Sequence, residues 1–257
     1  MDGILPLFKS QYSLGRSILT LEKSEDALVN GPDSIVDIAE KNGLEEVTLI
    51  EDSITGFLQA YKNFSEKNIK LIFGLRMTLC PDLEEKSEDS INSSCKYMIL
   101  SKNTKGYEKL IKISSHAAKE GFYYEPRADF KLLKKYWSDK DLVLVVPFYD
   151  SFLFYNTLTT RICLPQFEFT EPVFLEENNS LPFDDVIRSS VMSFTKNGVS
   201  HAIVKAQSIF YRAKNDFKSY LTFRCINNRS SLERPNLDHM GSNEFCFDSW
   251  KEKNEKA

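Results

Sequence analysis

The side chains that carry most protein chemistry are sparse in this sequence. Its three histidines, His116, His201 and His239, fall singly. The first lies on a predicted helix and the last in a late loop, where a histidine is an ordinary surface or core residue rather than a ligand. Five cysteines (Cys80, Cys95, Cys163, Cys225, Cys246) are scattered without a C-x-x-C. That pattern reads as reduced, structural thiols in a reducing compartment. Neither G-x-x-x-x-G-K nor G-x-G-x-x-G occurs, so no phosphate-cradling loop is signalled. Residues 81–94, PDLEEKSEDSINSS, are acidic but lack an apolar period, and read as a solvated loop rather than a metal site. Phe122, Tyr123 and Tyr124 precede Arg127, a combination that can stack on nucleic acid. Packing within a framework is the better reading of that run.

The elements that would position such groups alternate along the chain. An apolar run at 4–8 predicts a first strand, and 16–33 reads as a charged insertion with an Asn30-Gly31-Pro32 turn. Asp33 or Ser34 can cap a helix over 35–42, with Ile35, Ile38 and Ala39 on one face and Gly43 as its stop. Strands follow at 47–50 and 71–73, with a helix at 56–67 between them carrying Phe57, Tyr61 and Phe64 three and four apart. The stretch from Tyr97 to Asp129 then organises the chain. It opens on the apolar run YMIL, turns at Gly106, and places Tyr107, Leu110, Ile111, Ser114 and Ser115 on one helical face that ends at Gly121. A helix at 129–137 turns Phe130, Leu133 and Trp137 inward. LVLVV at 142–146 has the continuous apolar character of a strand buried on both faces. A strand at 172–176, a helix at 184–196 with Val186, Ile187, Ser190, Val191 and Phe194 on one face, a strand at 201–206 and a helix near 214–223 complete the series. The charged end, 250–257, is expected to fray. Such alternation argues for an α/β fold with a parallel sheet, open or closed into a barrel.

Composition bounds the function. A chain of 257 residues, 42% hydrophobic and 27% charged, suits one large α/β domain. A formal charge of −4 gives no global positive field, which argues against a dedicated nucleic-acid binder and leaves only weak or local contact. The start lacks a signal-peptide pattern and no run of eighteen apolar residues occurs, so a soluble, cytoplasmic protein is expected.

The central string YMILSKNTKGYEKLIKISSHAAKEGFYYEPRAD is similar to "L-x-K-N-x-x-G-Y-x-x-L-x-x-L-S-S … G-F-Y-Y-x-P-R-x-D" of the PHP (polymerase and histidinol phosphatase) domain of the bacterial DNA polymerase III alpha subunit. The likeness extends outward. Pro6 to Ser13 resembles the opening "L-H-x-H-S-x-Y-S", and Leu49 to Gly56 resembles "L-T-D-H-G-N-L-x-G". Asn68 to Arg76 resembles "G-I-K-P-I-I-G-x-E", and Lys205 to Tyr211 followed by Thr222 to Ile226 resembles "A-T-N-D-V-H-Y … L-L-C-I". Asn243 to Trp250 resembles "x-E-F-Y-x-K-S-x-E-E-M". The resemblance covers residues 4 to 252, weakest at 151–170. It implies a distorted parallel, seven-stranded β/α barrel forming a single domain over 1–257.

The resemblance also implies where chemistry should sit, and there this sequence departs. Active PHP domains hold two or three divalent metals on His, Asp and Glu to activate water against a phosphoester. The two opening His positions carry Leu7 and Lys9 here. The Asp-His pair becomes Glu51 and Asp52, the Glu becomes Arg76, and Tyr149 falls in the stretch Pro147-Phe148-Tyr149 that replaces a small Ser/Cys loop. The late Asp and His positions carry Ser208 and Phe210. Lys9 and Arg76 beside such a site repel a cation, and are expected instead to pair with Glu51 and Asp52.

No catalytic residue, cofactor site or metal site is therefore assigned, and no hydrolase activity is expected of this chain alone. The favoured reading is a catalytically silent PHP-like module of a replicative polymerase, docking on the polymerase core and on a proofreading exonuclease subunit. Its divergence suggests a viral member. One alternative is a free-standing phosphoesterase with one Mg²⁺ on Glu51, Asp52 and Asp150. Another is a PHP-fold accessory binding protein using Phe8, Tyr149 and Phe210 as an apolar patch.

Overall fold

The computed structural model describes residues 3–23, 31–196, 201–233 and 241–256. His239, residues 24–30 of the 16–33 insertion, Asn30 among them, and Ala257 lie outside them. Contacts between backbone positions divide the chain into two compact units: 1–73 with 177–184 and 205–257, and 74–176 with 185–204.

In the first unit, β1 (Leu5–Phe8) lies parallel to β2 (Glu46–Glu51) on one side and to β8 (Ile203–Ile209) on the other. The register puts Leu7 opposite both Thr48 and Ser208. Helix α1 (Ile35–Lys41) is capped by Ser34, whose hydroxyl accepts from the Asp37 N–H, and buries Ile35, Val36, Ile38 and Ala39. Helix α2 (Phe57–Glu66) leads into β3 (Lys70–Leu79), which is seven residues longer than the expected 71–73. The inward face of α2 is Ala60, Asn63 and Phe64; Tyr61 is exposed.

In the second unit, β3 continues and pairs antiparallel with β4 (Cys95–Ser101), which pairs antiparallel with β6 (Leu142–Val146). The short β5 (Arg127–Ala128) is parallel to β3, and β7 (Val173–Glu176) is parallel to β6. The hydrogen-bonded strand order is β2-β1-β8-β7-β6-β4-β3-β5, with β2 also paired to β3, in keeping with the α/β barrel class of fold. The reversed direction of β4 makes the sheet mixed. Strand–helix alternation fixes the order of elements but not the direction of a strand, so the sequence does not reveal this reversal.

The central motif explains itself in local terms. Helix α4 (Thr104–Lys119) begins at Asn103, whose Oδ1 accepts from the Gly106 N–H at 2.9 Å. Gly106 is thus not a turn but lies in the first turn of the helix, where a Cβ would sit 2.2 Å from the Asp141 carbonyl oxygen. The buried face is Gly106, Leu110, Ile113 and Ala117, rotated from the expected one, and Ser115 is exposed. Helix α5 (Phe130–Tyr136) is capped by Asp129, which accepts from the Leu132 N–H at 2.7 Å. Helices α6 (Phe152–Leu158) and α7 (Asp184–Lys196) follow, and α7 buries Ile187, Val191 and Thr195 while Val186 is exposed. A 3₁₀ turn (Lys214–Asp216) leads into α8 (Phe217–Asn228).

Three stretches expected to be loose are ordered. Residues 88–92 of the acidic loop form a short helix, α3 (Glu88–Asn92). Ser87 caps it, and the carboxylates of Glu88 and Asp89 lie in the first turn, where the helix dipole favours them. Leu19 and Leu21, in the expected insertion, are buried. The charged tail continues helix α9 (Phe247–Asn254). Its buried Trp250 donates from Nε1 to the Ile4 carbonyl at 2.7 Å, and Asn254 accepts from the Ile4 N–H at 3.0 Å.

Candidate functional site

The first unit brings Lys9, Glu51 and Asp52 together where β1 and β2 end. Glu51 is the last residue of β2 and is fully buried. One of its oxygens accepts from the Ser10 N–H at 2.9 Å and the other from the Ser13 hydroxyl. Ser13 also accepts from the Asp52 N–H at 2.9 Å, fixing the turn between the two acids. Burial raises the Glu51 pKa above its ordinary value, opposed by the charge of Lys9 and the bonds from Ser10 and Ser13. The Lys9 ammonium, itself 5% exposed, reaches Asp52 at 2.8 Å. Of the expected pairings, Lys9 with Asp52 is therefore present.

Leu7 is buried in β1, and its ladder partner Ser208 turns its hydroxyl onto a second buried acid. Glu177 accepts from the Ser208 hydroxyl and N–H, both at 2.8 Å, and from Asn179 Nδ2 at 3.0 Å. Burial raises its pKa above the ordinary range, with those bonds opposing. Gln207 extends this network to Asn179 and to the Glu244 carbonyl, and Lys253 bonds Gln207 at 3.0 Å. Sequence reasoning passed over Glu177. It sits among acidic and polar residues, Glu176 to Ser180, with no periodicity to mark it as interior. Phe210 stacks between Tyr220 and Phe245, with ring centroids 5.7 and 5.6 Å away.

In the second unit Arg76, expected to pair with Glu51 or Asp52, instead forms its ion pair with Asp150, an acid the sequence does not match to it, and the Tyr155 hydroxyl donates to the other Asp150 oxygen at 3.3 Å. Asp150 adopts a left-handed backbone (φ 62°), tolerated by Asp because its short polar side chain can bond locally. Tyr149 is buried at 6% exposure and packs edge-on against Phe148 and Phe154. With Phe8 fully buried as well, the apolar patch expected of an accessory binding protein does not form from Phe8 and Tyr149. The framework reading of Phe122–Tyr124 also needs correction. Phe122 is 53% and Tyr124 80% exposed, and only Tyr123 is engaged inward, beneath the Arg127 guanidinium at 5.1 Å.

These donors do not fit a PHP-type metal cluster. Among the described residues no three His, Cys, Asp or Glu side chains converge on a point. A cation needs carboxylate or imidazole lone pairs aimed outward at one position. Glu51 spends its oxygens on Ser10 and Ser13, and Asp52 is neutralised by an ammonium at contact distance. His116 faces Glu120 at 3.1 Å on the surface of α4. His201 packs among Phe167, Phe174 and Phe194.

Known proteins supply the comparison. The DNA polymerase III alpha subunit of Aquifex aeolicus is 34% identical over 112 residues, covering 40% of this chain and 10% of that subunit. The Borreliella burgdorferi subunit is 33% identical over 119 residues, covering 44% and 10%, and that of Treponema pallidum is 34% identical over 119 residues with the same coverage. The aligned part is thus about a tenth of the length of these relatives. The family model of the PHP domain matches residues 10–154, more than half of the chain. The chain belongs to the PHP domain family.

Proposed function

We propose that this chain is a metal-free, catalytically silent PHP-like domain of a replicative DNA polymerase III alpha-type protein, serving as a structural and docking module in DNA replication. The observation that carries this reading is the Lys9–Asp52 ion pair beside the buried Glu51. At positions that the resemblance assigns to metal ligands stand a cation, a carboxylate paired with it (Asp52), and a carboxylate satisfied by the Ser10 amide and the Ser13 hydroxyl (Glu51). An ammonium at 2.8 Å supplies the charge balance that a metal would otherwise give. The degenerate positions in this reading are Leu7, Lys9, Glu51, Asp52, Ser208 and Phe210 in the first unit and Arg76 and Tyr149 in the second, with no cofactor. Its partners are the polymerase core and a proofreading exonuclease subunit, in the cytoplasm, and its divergence fits a viral member. Similarity to the polymerase III alpha subunits supports the polymerase context. No described helix is long and apolar enough to cross a membrane.

The docking role is tested by size-exclusion chromatography of the purified chain with its cognate polymerase core stripped of any PHP segment. Co-elution at equal stoichiometry is expected. Separate elution at micromolar concentrations of both would overturn the docking role.

A further inference from the structure

The second unit holds a cavity of about 250 Å³ bounded by β3, β4, the 122–127 turn and the Tyr155–Arg161 segment. None of the positions where the family places its metal ligands lines it. Its lining carries three cations, Lys96, Arg127 and Arg161, against one carboxylate, Glu125. That excess is local, because the whole chain has a charge of −4. Lys96 and Glu125 neutralise each other at 2.8 Å. The two arginines remain. Arg127 is 1% exposed, yet among the described residues its guanidinium bonds only neutral acceptors: the Gly121 and Glu85 carbonyls and the Ser90 hydroxyl. The Arg161 guanidinium lies over the Tyr155 ring at 4.5 Å, and among the described residues it has no carboxylate at ion-pair distance. A buried cation without a counter-charge is costly, and a planar guanidinium held by stacking presents its donor fork to an incoming anion.

The rim has the opposite character. Tyr124 is 80% exposed and held in a left-handed backbone (φ 61°), with its ring edge-on to Tyr123 at 4.8 Å. That conformation costs a non-glycine residue about 1–2 kcal/mol, and here it presents an aromatic face to solvent. The cavity is slightly smaller than the ~300–1,000 Å³ of pockets that engulf a ligand. It can therefore take the charged end of a molecule and leave a ring outside, over Tyr124.

We propose that this cavity binds a nucleoside 5′-monophosphate group, its phosphate on the Arg161 fork and its base stacked on Tyr124. Free nucleotide and the 5′ end of a single strand share this chemistry. Only binding is assigned, with no bond made or broken. The proposal is independent of the docking role, because an anion pocket can exist whether or not the chain meets a polymerase.

Isothermal titration of the full chain with AMP, adenosine, inorganic phosphate and N-acetylphenylalanine tests it, alongside 5′-phosphorylated and unphosphorylated oligothymidylate. Saturable AMP binding is expected, at least tenfold tighter than any of the other three small probes. Arg161→Gln should weaken AMP at least tenfold and Tyr124→Ala several-fold, while Lys102→Gln, outside the cavity, leaves it unchanged. Both Arg161 and Tyr124 are at the surface, and an unshifted thermal transition verifies that each variant folds. Tighter binding of the 5′-phosphorylated strand than of AMP would assign the source as a strand end, and the reverse would assign free nucleotide. No saturable AMP binding, phosphate or N-acetylphenylalanine binding as tightly as AMP, or an Arg161→Gln variant indistinguishable from the parent would each overturn it.

Discussion

At the scale of single residues, two carboxylates are held by different means, one at the surface and one in the interior. Asp52 is held by a lysine, and Glu177 by neutral donors. Removing one partner of a buried ion pair costs about 3–5 kcal/mol. The Asp52 side chain keeps a third of its surface in water, so Lys9→Met should cost less, about 1–3 kcal/mol. Chemical denaturation of the variant measures this. Glu177 gives a pH signature. Its folded pKa lies above the ordinary 4.5, so the native state holds the proton more tightly than the unfolded chain. The resulting stability is full below about pH 4.5 and is lost as pH rises through the folded value. Glu51 is displaced in the same direction and adds to the fall. Glu177→Gln should therefore gain stability relative to the parent between pH 5 and pH 8 in urea titrations. Glu177→Ala should lose about 1–3 kcal/mol at both, because the Ser208 hydroxyl and N–H lose their acceptor.

At the scale of elements, the framework motif is legible because each of its residues answers a local need. Asn103 caps α4, Gly106 lets the helix approach the Asp141 carbonyl, and Asp129 caps α5. Asp141 is tied in turn by Lys109 and Asn103. Those bonds and one from Ser138 hold its carboxyl down at about 2, so its contribution persists until pH falls below the ordinary Asp range. Gly106→Ala sets two effects against each other. Alanine gains roughly 1 kcal/mol of helix propensity over glycine. A methyl 2.2 Å from a backbone oxygen forces the helix to move, an overpacking cost of about 1–3 kcal/mol. The clash should win, with a lower denaturation midpoint for Gly106→Ala and little change for Ser115→Ala on the exposed face. What the sequence hid at this scale follows from tertiary contacts that periodicity does not encode. The acidic 88–92 segment folds because Ser90 receives the buried Arg127, and the charged tail folds because Trp250 reaches Ile4. The interior face of α4 was misplaced by one position, since a serine pair and a glycine carry no hydropathy signal.

At the scale of the molecule, the chain belongs to the PHP domain family, and the proposed reading is that internal pairing, such as Lys9 with Asp52, stands in place of the family's metal chemistry. Which residues stand at the family's ligand positions is legible only through the resemblance, which implies that Leu7, Lys9, Arg76, Ser208 and Phe210 occupy them. Their partners were only partly readable. Lys9 meets Asp52 as expected, but the Glu177 network and the Arg161–Tyr155 stack lie in the part of the chain where the resemblance is weakest or the local pattern is silent. The central claim is that internal pairing has displaced metal-dependent hydrolysis. It is tested most directly by elemental analysis of the purified chain together with hydrolysis of a generic phosphoester in Mn²⁺, Zn²⁺ or Mg²⁺. Substoichiometric metal and no turnover above buffer are predicted. Stoichiometric metal, with turnover abolished by Glu51→Ala or Asp52→Ala, would contradict the account and make the chain a hydrolase with a rebuilt site.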